Sequence, residues 1–195
     1  MKIGLFGGTF DPPHIAHLIT AEYVRDTAQL DRILFIPSYI SPHKRRGEES
    51  NAADRLEMTR RAIEGNPHFE CSEYEVRKGA VSYTVETLEF LHAANPGAQL
   101  SMIIGMDNYL DLHTWKDSGR ILELSDVIVM NRGGVDAGEP VGIAADRVRF
   151  VPVPDLDISS SGIRERIRNH QSVTYLVPSA VEQYIVAHHL YQELP

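Results

Sequence analysis

The sequence predicts an α/β protein, a doubly wound and mainly parallel sheet with helices on both faces. Two observations carry this. Short β-branched or apolar runs alternate with longer amphipathic ones along the chain, which is the pattern of βαβ units. The unusual residues (paired glycines, a double proline, two histidines, a serine run beside arginine) fall where the strand-like runs end. Open parallel sheets bind their ligands at those carboxyl ends.

Taken in order, KIGLFG (2–7) is the first strand and HLITAEYVRDTAQ (17–29) the helix after it. DRILFIP (31–37) follows, then NAADRLEMTRRAIEG (51–65), with Asn51 as N-cap, Asp54 three residues on, and Gly65 to stop it. HFECSEYEV (68–76) alternates as a strand and TVETLEFLHAA (84–94) reads as a helix. AQLSMIIG (98–105) is a strand, residues 107–124 one helix, and SDVIVMNR (125–132) and DRVRFVPV (146–153) are strands. Helices near 161–169 and 179–191 close the chain, and 38–50 and 133–145 are loop-like.

A length of 195 residues fits one domain, 1–195, that can bury its own core. The formal charge of −8 argues against a broad nucleic-acid surface. A small anionic ligand is still compatible, because basic residues cluster as Lys44–Arg45–Arg46, Arg55–Arg60–Arg61 and Arg164–Arg166–Arg168. The single cysteine, Cys71, excludes an intramolecular disulfide and reads as a small strand or core residue. No apolar stretch reaches transmembrane length and the first residues lack a signal-peptide core, so no membrane association and a cytoplasmic address are expected.

The stretch GGTFDPPHIAH (7–17) is neither a P-loop nor a dinucleotide fingerprint, since no G-K-[ST] follows and the glycines fall at 4, 7 and 8. Gly7 and Gly8 let the backbone approach a ligand, and Pro12 and Pro13 hold a turn from which a helix can start before His17. A helix N-terminus there favours anions, and His14 and His17 would lie side by side. Two other readings of the string stay open: a metal site of Asp11, His14 and His17, or structural histidines satisfied in a turn. In DISSSGIRER (157–166), serines ahead of a helix are ordinary caps. Arg164 in the first turn makes them, alternatively, a polyphosphate cradle.

Together, GGTFDPPHIAH and ISSSGIR resemble the (H/T)xGH and ISSTxxR motifs of the nucleotidyltransferase superfamily, with Ala16 where that pattern has glycine. SYTVETL (82–88) and IIGMDNYLDLHTW (103–115) narrow the resemblance to bacterial nicotinate-mononucleotide adenylyltransferases, over nearly the whole length. It implies a Rossmann-like fold and a reaction that joins nicotinate mononucleotide to the AMP part of ATP, releasing pyrophosphate. It implies that His14, His17 and Arg164 are catalytic, and that Gly7, Gly8, Thr9, Phe10, Gly105, Asp107, Ile158, Ser160 and Ser161 bind ATP. Lys44, Thr84 and Trp115 would bind the nicotinate nucleotide. Mg²⁺ would arrive with ATP, with no metal held by the protein itself, and a homo-oligomer is compatible.

Two bland readings weigh against these. Trp115 could be a core aromatic, and Lys44 a solvated loop residue, the reading preferred for Arg45 and Arg46. Pantetheine-phosphate adenylyltransferase shares the histidine and serine motifs, but SYTVETL and the IGMD…W stretch speak against it. A class I aminoacyl-tRNA synthetase would need a longer chain and a KMSKS-like loop, and a non-catalytic nucleotide sensor would not need both histidines and Arg164.

Overall fold

The computed structural model describes residues 1–40, 50–132 and 145–192. Its centre is a sheet of six parallel strands in the order β3-β2-β1-β4-β5-β6, with β1 Lys2–Gly8, β2 Arg32–Pro37, β3 Phe69–Cys71, β4 Gln99–Gly105, β5 Asp126–Arg132 and β6 Val148–Val153. All six expected strands form. The chain runs outward from β1 through β2 to β3, then returns to the other side of β1 with β4. The order of strands therefore reverses between β1 and β4, and a crevice opens there at their carboxyl ends.

Successive strand side chains point to opposite faces, and the core divides accordingly. Phe6, Ile33, Phe35, Ile103 and Ile128 face helices α1 (Ile15–Thr27), α2 (Ala52–Ile63), α7 (Ser160–Arg168) and α8 (Ser179–Ala187). Ile3, Leu5, Leu34, Met102 and Val129 face α4 (Thr84–Ala94) and α6 (Ser118–Leu124). Asn51 caps α2 by accepting from the Asp54 amide at 2.9 Å, and Gly65 follows with φ +88°.

Three expectations are corrected. The strand expected over 68–76 ends at Cys71, and a helix, α3 (Tyr74–Lys78), follows it. The apolar positions 69 and 71 slip phase before Tyr74 and Val76, and the Ser72 hydroxyl accepts from the Tyr74 amide at 3.3 Å to start the turn. The single helix expected over 107–124 is broken into α5 (Met106–Asp111), a 3₁₀ turn (Leu112–Thr114) and α6. Between them Trp115 is extended (φ −71°, ψ 149°) and Asp117 is left-handed (φ 51°). The helix expected over 179–191 stops at Ala187, and His189 and Tyr191 take positive φ.

Candidate active site

A cleft of about 790 Å³ lies at the carboxyl ends of β1 and β4. Gly7, Gly8, Thr9 and Gly105 line one part of it and Thr84 and Trp115 another. Trp115 is half-buried and also packs on the apolar cluster beneath α4, so it is at once a core neighbour and a cleft wall. Asp107 is exposed in the first turn of α5 and is not among the lining residues, whereas Asn108 and Asp111 are.

The loop from Thr9 to His14 carries the histidines. His14 is the N-cap of α1, only 5% exposed, and His17 is the third residue of the helix. The His14 amide donates to His17 Nδ1 at 3.1 Å, and the rings stack with centroids 3.6 Å apart. That is the side-by-side arrangement expected of the pair. His17 stands edge-on to Phe10 at 5.1 Å and Phe6 at 6.2 Å, and Phe6 lines the cleft. Phe10 is core, 2% exposed, and is not among the residues that line the cleft. A Cβ on Gly8 would sit 2.9 Å from Phe10 Cζ, which is why this turn needs a residue without a side chain.

Helix α7 docks on the same loop. Arg164 Nη1 donates to the Asp11 carbonyl at 2.7 Å and the Ser160 hydroxyl donates to the Pro12 carbonyl at 2.8 Å. Ser159 caps the helix, accepting from the Gly162 amide at 3.1 Å, and Ser161 is exposed beside it with the two hydroxyl oxygens 3.2 Å apart. Ile158 is half-buried against the core below. Arg164 is bonded here through Nη1 alone, and its Nε is buried without a hydrogen-bond partner; a guanidinium has five N–H donors in all.

Asp11 is 1% exposed and is directed to protein groups. Its Oδ1 accepts from the Ser50 hydroxyl at 2.5 Å and the Tyr191 hydroxyl at 2.7 Å. The Asp11–His14–His17 metal reading is therefore not what the side chains form, and among the described residues no group of three or more His, Cys, Asp or Glu is arranged to hold a metal. Lys44, with Arg45 and Arg46, lies outside the described residues.

Residue-by-residue reading missed Arg55 and Glu75. In sequence Arg55 clusters with Arg60 and Arg61 as charge open to an anion, but it is 2% exposed and directs its donors to carbonyls. They are those of Ser50 (3.2 Å), Thr9 (3.0 Å), Ser38 (2.5 Å) and Tyr39 (2.8 Å). It thereby ties the loops after β1 and β2 to α2. Arg60 and Arg61 are paired with Glu73 and Glu57. Glu75 lines the cleft and accepts from the Thr87 hydroxyl at 2.7 Å, and burial pushes its carboxyl above the ordinary range. Cys71 ends β3, half-buried, with burial pushing its thiol up to about 12, which disfavours the thiolate.

Among known proteins, the model of the cytidylyltransferase-like family matches residues 5–166. A Thermomicrobium roseum protein named "Probable nicotinate-nucleotide adenylyltransferase" is 41% identical, over 98% of this chain and 92% of that protein. A Salinibacter ruber protein of the same name is also 41% identical, over 98% of each. A solved structure from Plasmodium falciparum, titled as nicotinic acid mononucleotide adenylyltransferase complexed with NaAD, superposes with a TM-score of 0.75 over 97% of each chain. At 16% identity, that likeness speaks for the fold alone.

Proposed function

The chain belongs to the nicotinate-nucleotide adenylyltransferases of the cytidylyltransferase-like family, and from that premise we propose how its own residues carry the reaction. The enzyme transfers the AMP moiety of ATP to nicotinate mononucleotide, giving deamido-NAD and pyrophosphate. A phosphate oxygen of nicotinate mononucleotide attacks the α-phosphorus of ATP in line, and the bond to the β-phosphate oxygen breaks. No protein nucleophile is required. Such transfers leave a protein mainly to position the groups and to stabilise charge.

In this reading, ATP lies with its phosphates on the Gly7–Thr9 backbone and its ribose toward Gly105 and Asp107. His14 and His17 stabilise the α-phosphoryl group as charge builds on it. Arg164, with Ser160 and Ser161, takes the β- and γ-phosphates, while Phe10 and Ile158 contribute through their main chains. The pyridine ring of the second nucleotide stacks on Trp115 with its carboxylate toward the backbone near Thr84, and Lys44 meets its phosphate. Mg²⁺ enters on the ATP phosphates as part of the substrate. Every role falls to one chain, read as one nucleotidyltransferase domain over 1–195. Its one cysteine, half-buried and unpaired, suits the cytoplasm. No helix among the described residues is long and apolar enough to cross a membrane.

The observation that carries this reading is the convergence on one loop. The loop that leaves β1 beside the cleft ends in His14, with His17 stacked on it from the first turn of α1, and α7 brings Arg164 to the same loop through the Asp11 carbonyl. A phosphate chain needs donors from both directions at once. The test is pyrophosphate release from ATP, run in parallel with nicotinate mononucleotide, nicotinamide mononucleotide and phosphopantetheine. Nicotinate mononucleotide should be the best substrate, and turnover with phosphopantetheine alone would overturn the assignment.

A further inference from the structure

We infer that Tyr191 is a positioning residue for Arg164: together with Ser50 it holds Asp11 by one carboxylate oxygen and keeps that carboxylate from closing on the guanidinium. The inference rests on the proposed assignment of Arg164 to the pyrophosphate portion of ATP.

Asp11 and Arg164 stand close without forming the pair their chemistry favours. A carboxylate beside an arginine normally takes two parallel N–H···O bonds. Here Arg164 Nη1 is 3.7 Å from Asp11 Oδ2, too long for a hydrogen bond, and donates instead to the Asp11 carbonyl at 2.7 Å. Oδ2 is buried with no hydrogen-bond partner, and so is Arg164 Nε. The other oxygen is crowded. Oδ1 accepts from the Ser50 hydroxyl (2.5 Å), the Ser50 amide (3.3 Å) and the Tyr191 hydroxyl (2.7 Å). With Oδ1 fixed in this way, the carboxylate cannot rotate to meet the guanidinium with both oxygens.

A guanidinium filled by a two-pronged carboxylate would have few N–H groups left for a phosphate. With Oδ2 held at 3.7 Å, those N–H groups are not taken up by the carboxylate, while the bond to the Asp11 main chain fixes where they point. Tyr191 reaches this position because the chain leaves α8 at Ala187 and turns back through positive φ at His189 (51°) and Tyr191 (65°). A tyrosine held in the left-handed region needs compensating contacts, and the bond to Asp11 is one. Burial and the Asp11 carboxylate push the phenol well above its ordinary value, so it stays a protonated donor.

Tyr191→Phe removes the hydroxyl and keeps the ring. In the full-length enzyme, affinity for magnesium pyrophosphate by calorimetry should weaken about tenfold, the scale of one hydrogen bond to a charged group. KM for nicotinate mononucleotide should not change. Ser50→Ala, acting on the same oxygen, should shift pyrophosphate affinity the same way. In an Asp11→Asn background, Tyr191→Phe should have no further effect, because a carboxamide has a single acceptor oxygen and cannot take the guanidinium with two parallel bonds. Unchanged pyrophosphate affinity in Tyr191→Phe overturns the inference, as does an equal loss in the Asp11→Asn background, which would mark a packing role. A wild-type enzyme that forms no dinucleotide overturns the reaction assignment itself, whereas an active wild type with an indifferent Tyr191→Phe overturns only the positioning role.

Discussion

The main-chain amide of His14 donates to Nδ1 of His17 at 3.1 Å, and the ring that accepts this bond is stacked on the His14 ring at 3.6 Å. A ring nitrogen that accepts carries no proton, so neutral His17 has its proton on Nε2. His17 is thus a donor whose tautomer and orientation are set before substrate arrives. A preorganised donor of this kind is worth about 3–4 kcal/mol in the transition state. His17→Ala should lower kcat by about a hundred- to thousandfold with little change in KM for ATP. Steady-state kinetics decide it, and near-normal turnover would make the histidine pair structural.

Arg55 should matter through stability. Arg55→Met leaves the carbonyls of Ser50, Thr9, Ser38 and Tyr39 without their shared donor. The expected cost is about 3 kcal/mol, or a fall in Tm of about 6–12 °C for a chain of this size. Arg55→Lys should recover little of it, since an ammonium lacks the planar fork that reaches carbonyls on two loops and a helix start. A thermal melt within a degree or two of wild type would refute the role.

Substrate choice should depend on the Trp115 end of the cleft. Acid and amide nucleotides differ only in one ring substituent, and backbone N–H groups can donate to both oxygens of a carboxylate. An amide would turn its NH₂ toward one of those donors, and a buried unpaired donor costs about 1–3 kcal/mol. Preference for nicotinate mononucleotide over the amide should therefore be about tenfold to a few hundredfold in kcat/KM. Trp115→Ala should raise KM for the pyridine nucleotide and leave KM for ATP nearly alone. The opposite split would mean that the two halves of the cleft are exchanged.

Glu75 gives a pH signature. Burial raises its carboxyl in the folded protein above the ordinary value of 4.5, against the lowering effects of the Thr87 hydroxyl and Lys78. A group raised on folding contributes stability that is fully present below its unfolded value and is lost as pH rises through its folded value. Glu75→Gln mimics the neutral acid and can still accept from Thr87. Its Tm should exceed that of wild type at pH 8, and the difference should shrink toward zero at pH 4. A variant less stable than wild type at pH 8 would show that the charged form is the one the fold prefers.

The sheet was legible because central parallel strands are buried on both faces and read as unbroken apolar runs, as Ile33–Ile36 and Met102–Ile104 do. The starts of α2 and α7 were legible from their caps, Asn51 and the serine run. Where the reading failed, the deciding contact was distant or the pattern ambiguous. Residues 107–124 read as one helix although Asp117, Ser118 and Gly119 form a local turn and cap signal; what nothing local announces is that Trp115 just before them is extended. Arg55 looked like one more surface charge, although its spacing to Met58, Thr59 and Ala62 places it on the buried face of α2. That signal was present and could have been used. The Asp11–Tyr191 bond joins residues 180 apart, and no window along the chain contains both.

Gly8 shows how a position with no side chain can be coupled to chemistry it never touches. An added methyl would meet the Phe10 ring at 2.9 Å, and that ring is the one against which His17 rests. Alanine, elsewhere the mildest replacement for glycine, would here move a histidine by way of an aromatic intermediary. A side chain at 8 therefore requires the ring at 10 to shift or to give up volume. Variation in the opening loop should accordingly occur in pairs, and a library that randomises its residues singly would miss the combinations that keep His17 in place.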